Sequence, residues 1–199
     1  MKNQLNNLLF STALVVVLSA QAFAAGTIDL PRTGQSVCSD ATGKVITCAG
    51  TGQDGDKLAG NPWPTPRFTD NNNGTVTDNL TGLIWLRNAN CFGNTDWPSS
   101  ITAAAGLATG ACGLTDASKA GDWRLPNINE LRSLVDYSRN TPALTAGHPF
   151  FNLQANYWSS TADAILANNQ SQYVTIVNGL FGYNGKSNPF AVWPVRSGQ

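Results

Sequence analysis

Glu130 is the one glutamate of this 199-residue chain, and it stands in Gly121 to Asp136, GDWRLPNINELRSLVD. A catalytic carboxylate needs a partner acid or base within hydrogen-bond reach, and the residues around Glu130 supply none. Asn127-x-x-Glu130 has instead the spacing of a capping box. In that motif the Asn side chain accepts from the amide three residues on, and the Glu side chain reaches back to the cap amide. The helix dipole favours a negative charge at the same place. Ile128, Leu131, Leu134 and Val135 follow at helical spacing and predict the buried face of a helix. Glu130 is expected to be scaffold.

The other chemistry-bearing residues are few. His148, the single histidine, lies in AGHPFF; a lone imidazole among aromatics reads as structural or surface. A Ser–His–Asp triad would need it, but no G-x-S-x-G elbow is present. There is no Walker loop and no G-x-G-x-x-G. Asp70, Asn72 and Asp78 in FTDNNNGTVTD offer oxygen ligands for calcium. Aligning an EF-hand on Gly74 puts Thr69 at the first ligand position and Leu80 at the last, so calcium would need another geometry. Turn chemistry explains the same residue types without a metal. Zinc is disfavoured by the lack of C-x-x-C. No cofactor is expected, with calcium as the alternative.

The N-terminus fixes the compartment. Lys2 precedes an apolar run from Leu8 to Ala20, and Ala22-Phe23-Ala24 supplies a small-x-small cleavage pattern. This predicts a secretory signal peptide over residues 1–24. The run is shorter than the roughly 20 residues of a spanning helix, and no later segment is long and apolar enough to span. Export makes disulfides the default for Cys38, Cys48, Cys91 and Cys112. Four cysteines allow three connectivities. Cys38 and Cys48 flank a short segment with a Gly turn, and Cys91 and Cys112 flank a predicted helix, so local pairing is expected. The chain carries 12 basic and 12 acidic residues, and loss of Lys2 with the leader leaves one acidic charge in excess. No basic stripe is present, which argues against nucleic acid as a partner. The expected location is the periplasm or the cell exterior.

The elements follow from punctuation and period. Residues 25–66 are rich in Gly, Pro, Thr and Asp and end in NPWPTP; they predict an extended arm with a disulfide-closed hairpin. The compact domain is expected over 67–197. Phe68 to Asp70 and Thr75 to Asp78 read as a hairpin about Asn71 to Gly74, followed by a strand at Leu83 to Leu86. Asp96 to Thr109 predicts a helix burying Ile101, Ala104, Ala105 and Ala108, ended by Gly110. Tyr157 to Thr161 is a strand. Another alternates through Tyr173, Thr175 and Val177 and turns at Asn178-Gly179. AVWPVR ends the domain as a strand that Pro194 confines to an edge or bulge. Trp85, Trp123, Trp158 and Trp193 are assigned to the core by size.

FTDNNNGTVTDNLTGLIW, CGLTDASKAGDWRLPNINELRSLVD, HPFF, YWSST and VWPVR occur in that order. Together they resemble the family built around the C-terminal domain of the Legionella collagen-like adhesin, a domain of unknown function. The resemblance covers about Arg67 to Arg196, and W-P-x-P-R-F-T-D upstream is similar to bacterial members. The collagen-like stalk is absent. A second similarity, R-L-P-x-x-x-E-L with later W-S-S and P-V-R, is to formylglycine-generating enzymes and C-type-lectin-like domains. It implies an α+β fold with two helices and a small, irregular antiparallel sheet. The enzyme chemistry does not carry over, because it uses cysteines in the C-terminal part of the domain and none follows Cys112. The EPN or QPD calcium–sugar motif is also missing.

These readings point to a secreted, non-enzymatic binding or adhesion module for a glycan or protein ligand. An enzyme of unrecognised mechanism and a structural component of an envelope assembly are the alternatives. Binding is expected on irregular loops held by a rigid scaffold, in Asn168 to Asn188. There Tyr173, Phe181, Tyr183 and Lys186 sit among Asn and Gly, and aromatics supply contact area at low entropy cost. The bland reading is that these aromatics pack inward, since strand alternation alone does not assign the inner face.

Overall fold

The computed structural model describes residues 30–165 and 169–198. The predicted leader, residues 1–24, and Asn168 of the predicted binding loop lie outside the described residues. The fold is mixed α and β, with three short helices and mainly antiparallel sheets among the described residues.

β1 (Cys38–Ser39) and β2 (Val45–Ile46) form the expected hairpin. Asp40 closes its turn by accepting from Thr42 N and Lys44 N, and Cys38–Cys48 staples its base. The short helix α1 (Asp54–Lys57) follows. No apolar period announces it, and it buries no residue. The arm is not simply extended. It folds back on itself, with Arg32 N donating to Asn61 O and Asn61 N to Leu30 O, and it docks on the domain through Tyr137 N to Thr33 O.

β3 (Phe68–Asp70), β4 (Thr75–Asp78) and β5 (Ile84–Leu86) form a meander. Positive φ at Asn72 and Gly74 permits the first turn. β6 (Asn94–Thr95) leads into α2 (Trp97–Ala105), capped by Asp96, whose side chain accepts from Ser99 N. The helix ends at Gly106, four residues earlier than expected, and its buried face is rotated. Ser100, Ala104 and the following Leu107 are buried, while Ile101 and Ala105 face solvent. Ser100 is held inside by bonds to Asp96 O and Thr95 Oγ1, so a hydroxyl takes the place a hydrophobe was expected to fill. Cys91–Cys112 brackets this region.

α3 (Ile128–Ser133) has the full capping box: Glu130 N donates to Asn127 Oδ1, and Asn127 N to Glu130 Oε2. Leu131, Leu134 and Val135 are buried. β7 (Asn156–Ala162), β8 (Gln170–Thr175) and β9 (Phe181–Gly185) form the larger sheet. Gly179 turns β8 into β9 against Val135 Cγ1, which leaves no room for a Cβ. The expected terminal strand is two strands. β10 (Phe190–Ala191) lies between β6 and β7, parallel to β7, and β11 (Val195–Arg196) edges the meander. Pro194, without an N–H, stands where the chain changes sheets. Along this crossing Val192 and Trp193 point opposite ways into two apolar clusters. The larger contains Trp85, Trp123, Tyr157 and Trp193; the smaller packs Ala104, Leu125, Trp158 and Val192.

Candidate functional site

The four residues expected to bind ligand do not come together. Register places Gln172 opposite Tyr183, and Tyr173 opposite Gly182, so Tyr173 and Tyr183 face opposite sides of the sheet. Tyr173 packs on Phe190 and Trp158, with ring centroids 4.8 and 6.5 Å away. Lys186 lies over the Trp97 ring at 4.4 Å. Phe181 and Tyr183 alone are exposed side by side on edge strand β9, with Phe181 against the Arg132 guanidinium.

Two of the calcium candidates, Asp78 and Asp70, are paired with arginines. Asp78 is fully buried and accepts two bonds from Arg67, at 2.7 and 2.9 Å. Asp70 pairs with Arg87 at 3.2 Å and accepts from Asn72 N. These carboxylates therefore serve a buried ion pair and a turn. Glu130 is bound bidentately by Arg124, with both bonds at 2.6 Å. Burial pushes its carboxyl up, but the Arg124 fork and the Asn127 amide outweigh burial and hold it below the ordinary value.

A different place, a cleft, brings together residues that each carry a buried polar atom with no hydrogen-bond partner among the described residues. The arm's last turn, Trp63 to Pro66, and the loop Thr145 to His148 face each other across a cleft of about 360 Å³. Arg67 lines it where the arm enters β3. Its Nε and Nη2 are fixed by Asp78, and Nη2 also donates to Ser133 O at the end of α3. Trp63 covers the guanidinium at 4.4 Å and is itself pinned by Nε1 to Arg32 O. The opposite loop is set by Ala143 N to Ile176 O and by Phe150, which packs on Phe68 and Trp193.

Three buried atoms of cleft-lining residues, Arg67 Nη1, Thr145 Oγ1 and His148 Nδ1, have no hydrogen-bond partner among the described residues. Leaving such groups unsatisfied costs about 1–3 kcal/mol each. Burial lowers the His148 imidazole below its ordinary range, against a smaller upward pull from the Phe150 main chain, so it is neutral at pH 7. Asp78 neutralises Arg67. The cleft is thus walled largely by apolar side chains, with Arg67, Thr145 and His148 among the residues that line it. Sequence reasoning assigned His148 to structure and passed over Trp63, Arg67 and Thr145. The available signal was the proline-framed Trp beside an Arg in NPWPTPR.

No curated protein matches the chain. Residues 74–196 match the model of the Lcl C-terminal domain, a span that includes Asp78, Thr145 and His148 but begins after Trp63 and Arg67. That match covers more than half of the sequence, and the chain belongs to the Lcl C-terminal domain family.

Proposed function

We propose that this protein is an exported, non-enzymatic binding module of C-type-lectin-like architecture, for a glycan or protein ligand at the bacterial envelope or surface. The observation that carries the reading is a cleft of about 360 Å³ with apolar walls from Trp63, Pro64, Pro66 and Phe68 and with Thr145 and His148 on its lining. Ligand pockets characteristically combine apolar walls with a few convergent polar groups. The resemblance to an adhesin's C-terminal domain supports binding over turnover. So does the engagement of Glu130 and Asp78 with arginines, which leaves neither carboxylate poised as an acid or base. Two disulfides support export, and none of the helices among the described residues is long and apolar enough to cross a membrane.

The test is a screen of the chain, purified after export to a bacterial periplasm, against arrayed glycans and envelope proteins. Saturable capture with the ligand recovered unchanged is the expected result. Capture accompanied by chemical conversion of the ligand would favour the enzyme alternative.

A further inference from the structure

Beyond the cleft, we propose that the outer edge of β9 docks an extended, acidic segment of a protein partner as an added strand. No residue lining the cleft takes part. β9 closes one side of the five-stranded sheet. With five residues, against two or three for the others, it is the longest edge strand among the described residues. Such edges are ordinarily blunted by Pro, charged side chains or a bulge, because their free main-chain groups pair with other chains. FGYNG carries neither Pro nor a charge, and its register with β8 runs unbroken from Gln170↔Gly185 to Val174↔Phe181. Thr175 N donates to Leu180 O, and Lys186 N to Asn169 O. Main-chain groups alternate in direction along an antiparallel pair, so Leu180, Gly182, Asn184 and Lys186 turn theirs to β8. Those of Phe181 and Tyr183 point outward, and Gly185 N, bonded to Asn184 Oδ1, ends the free row.

The side chains beside this row give the partner its chemistry. Phe181 and Tyr183 lie on one face of the strand and are 49% and 51% exposed. The Arg132 guanidinium, from α3, lies over the Phe181 ring at 4.4 Å. It forms no ion pair among the described residues. Of its nitrogens only Nε is buried without a partner, so the terminal pair reaches solvent. A strand added to β9 sets its residues about 5 Å from Phe181 and Tyr183, and a carboxylate on that face meets Arg132. Other occupants fit less well. A second copy of β9 brings no carboxylate to Arg132. A neutral or basic peptide leaves the guanidinium unpaired. A sugar has no row of N–H and C=O groups at the spacing of a strand.

The exported full chain is panned against a phage-displayed library of random peptides, and the enriched peptides are synthesised. They are expected to carry Asp or Glu in a stretch without Pro. Amide hydrogen exchange followed by NMR then reads the edge itself. The Phe181 and Tyr183 amides should exchange freely in the chain alone and become protected with peptide bound, while those of Gly182 and Asn184 are protected in both states. Affinity should fall about tenfold in Arg132→Gln, which removes the charged donor, and be partly recovered in Arg132→Lys. Tyr183→Pro deletes an outward N–H that β8 does not use and should abolish binding, whereas Tyr183→Thr keeps that N–H and should retain measurable affinity. The two conservative variants keep the test valid if Arg132→Gln or Tyr183→Pro lowers the melting temperature. The proposal is overturned if no acidic peptide is enriched, if bound peptide leaves the Phe181 and Tyr183 amides unprotected, or if Arg132→Gln binds like the parent. Protection of those amides in the chain alone, rising with its concentration, would assign the edge to a second copy and equally overturn it. Each of these failures leaves the cleft and the binding-module reading standing.

Discussion

Arg67 and Asp78 form a buried ion pair that no local sequence pattern announces. Asp78 belongs to a sequence cluster that resembles a cation loop, yet its oxygens accept from Arg67, Leu80 N and Thr81 Oγ1. The pairing follows from register, since Phe68 faces Asp78 across the hairpin and brings the preceding Arg67 to the carboxylate. Removing one member of a buried pair strands the other. Asp78→Asn is therefore expected to cost about 3–5 kcal/mol, read as the shift in a urea unfolding midpoint at constant slope. A cost comparable to that of an exposed pair would contradict this role. His148 gives a pH signature. Its native pKa is lowered, so the unfolded chain takes up its proton first as pH falls through about 6.5. Stability from this group is present above that pH, is lost between about 6.5 and the lower native pKa, and does not change further below it. Denaturant melts of the parent and His148→Gln across that window should converge on acidification; parallel curves would refute the shift. Glu130 was legible because a capping box is written in four adjacent residues. The cleft was not, because its two walls lie far apart in sequence and no local pattern links Trp63 to Thr145.

At the scale of elements, α3 is the part most fully specified by its own sequence. Asn127→Ala should cost about 1 kcal/mol by loss of the cap. Glu130→Gln can keep the backbone contact but loses the charged Arg124 fork, and a cost of up to about 1 kcal/mol is expected for so exposed an arginine. Thermal melts of both variants check this, and a loss several times larger would give Glu130 a role beyond the helix start. The helix α2 shows where periodicity misleads. Alanine is weakly apolar, so a run such as ITAAA scarcely fixes a face, and Ser100 bonded to the backbone settled the orientation instead. AVWPVR reads as one strand because Pro194 interrupts an otherwise regular alternation. Only the packing of Val192 and Trp193 into different clusters reveals a crossing between sheets. The local disulfide pairs were legible from export and spacing. Replacing Cys91 and Cys112 by Ala should destabilise by about 3 kcal/mol in the chain-entropy view, and denaturant unfolding of the double variant would show it. An unchanged midpoint would mean that this loop is held by packing alone.

The whole molecule is a two-sheet scaffold on which a docked arm and a loop meet. Its apolar clusters, centred on tryptophans and crossed by one C-terminal segment, fix the loop from Thr145 to His148 through Phe150. The arm closes the other side, and Gly34 lies so close to Trp63 and Asp136 that an added Cβ would meet both within 2.7 Å. The mixed α and β character and the family were legible from ordered motifs. The docking of the arm was not, because its contacts join irregular segments with no periodic pattern, such as Tyr137 N to Thr33 O. The central claim is that the chain binds a ligand through the cleft rather than acting as scaffold alone. Its most direct test is capture of arrayed glycans and envelope proteins by the parent and by Thr145→Val/His148→Gln at matched melting temperature. The account predicts saturable capture by the parent and weaker capture by the double variant, whose two substituted residues line the cleft. Equal capture by the two, or none by the parent, would contradict it.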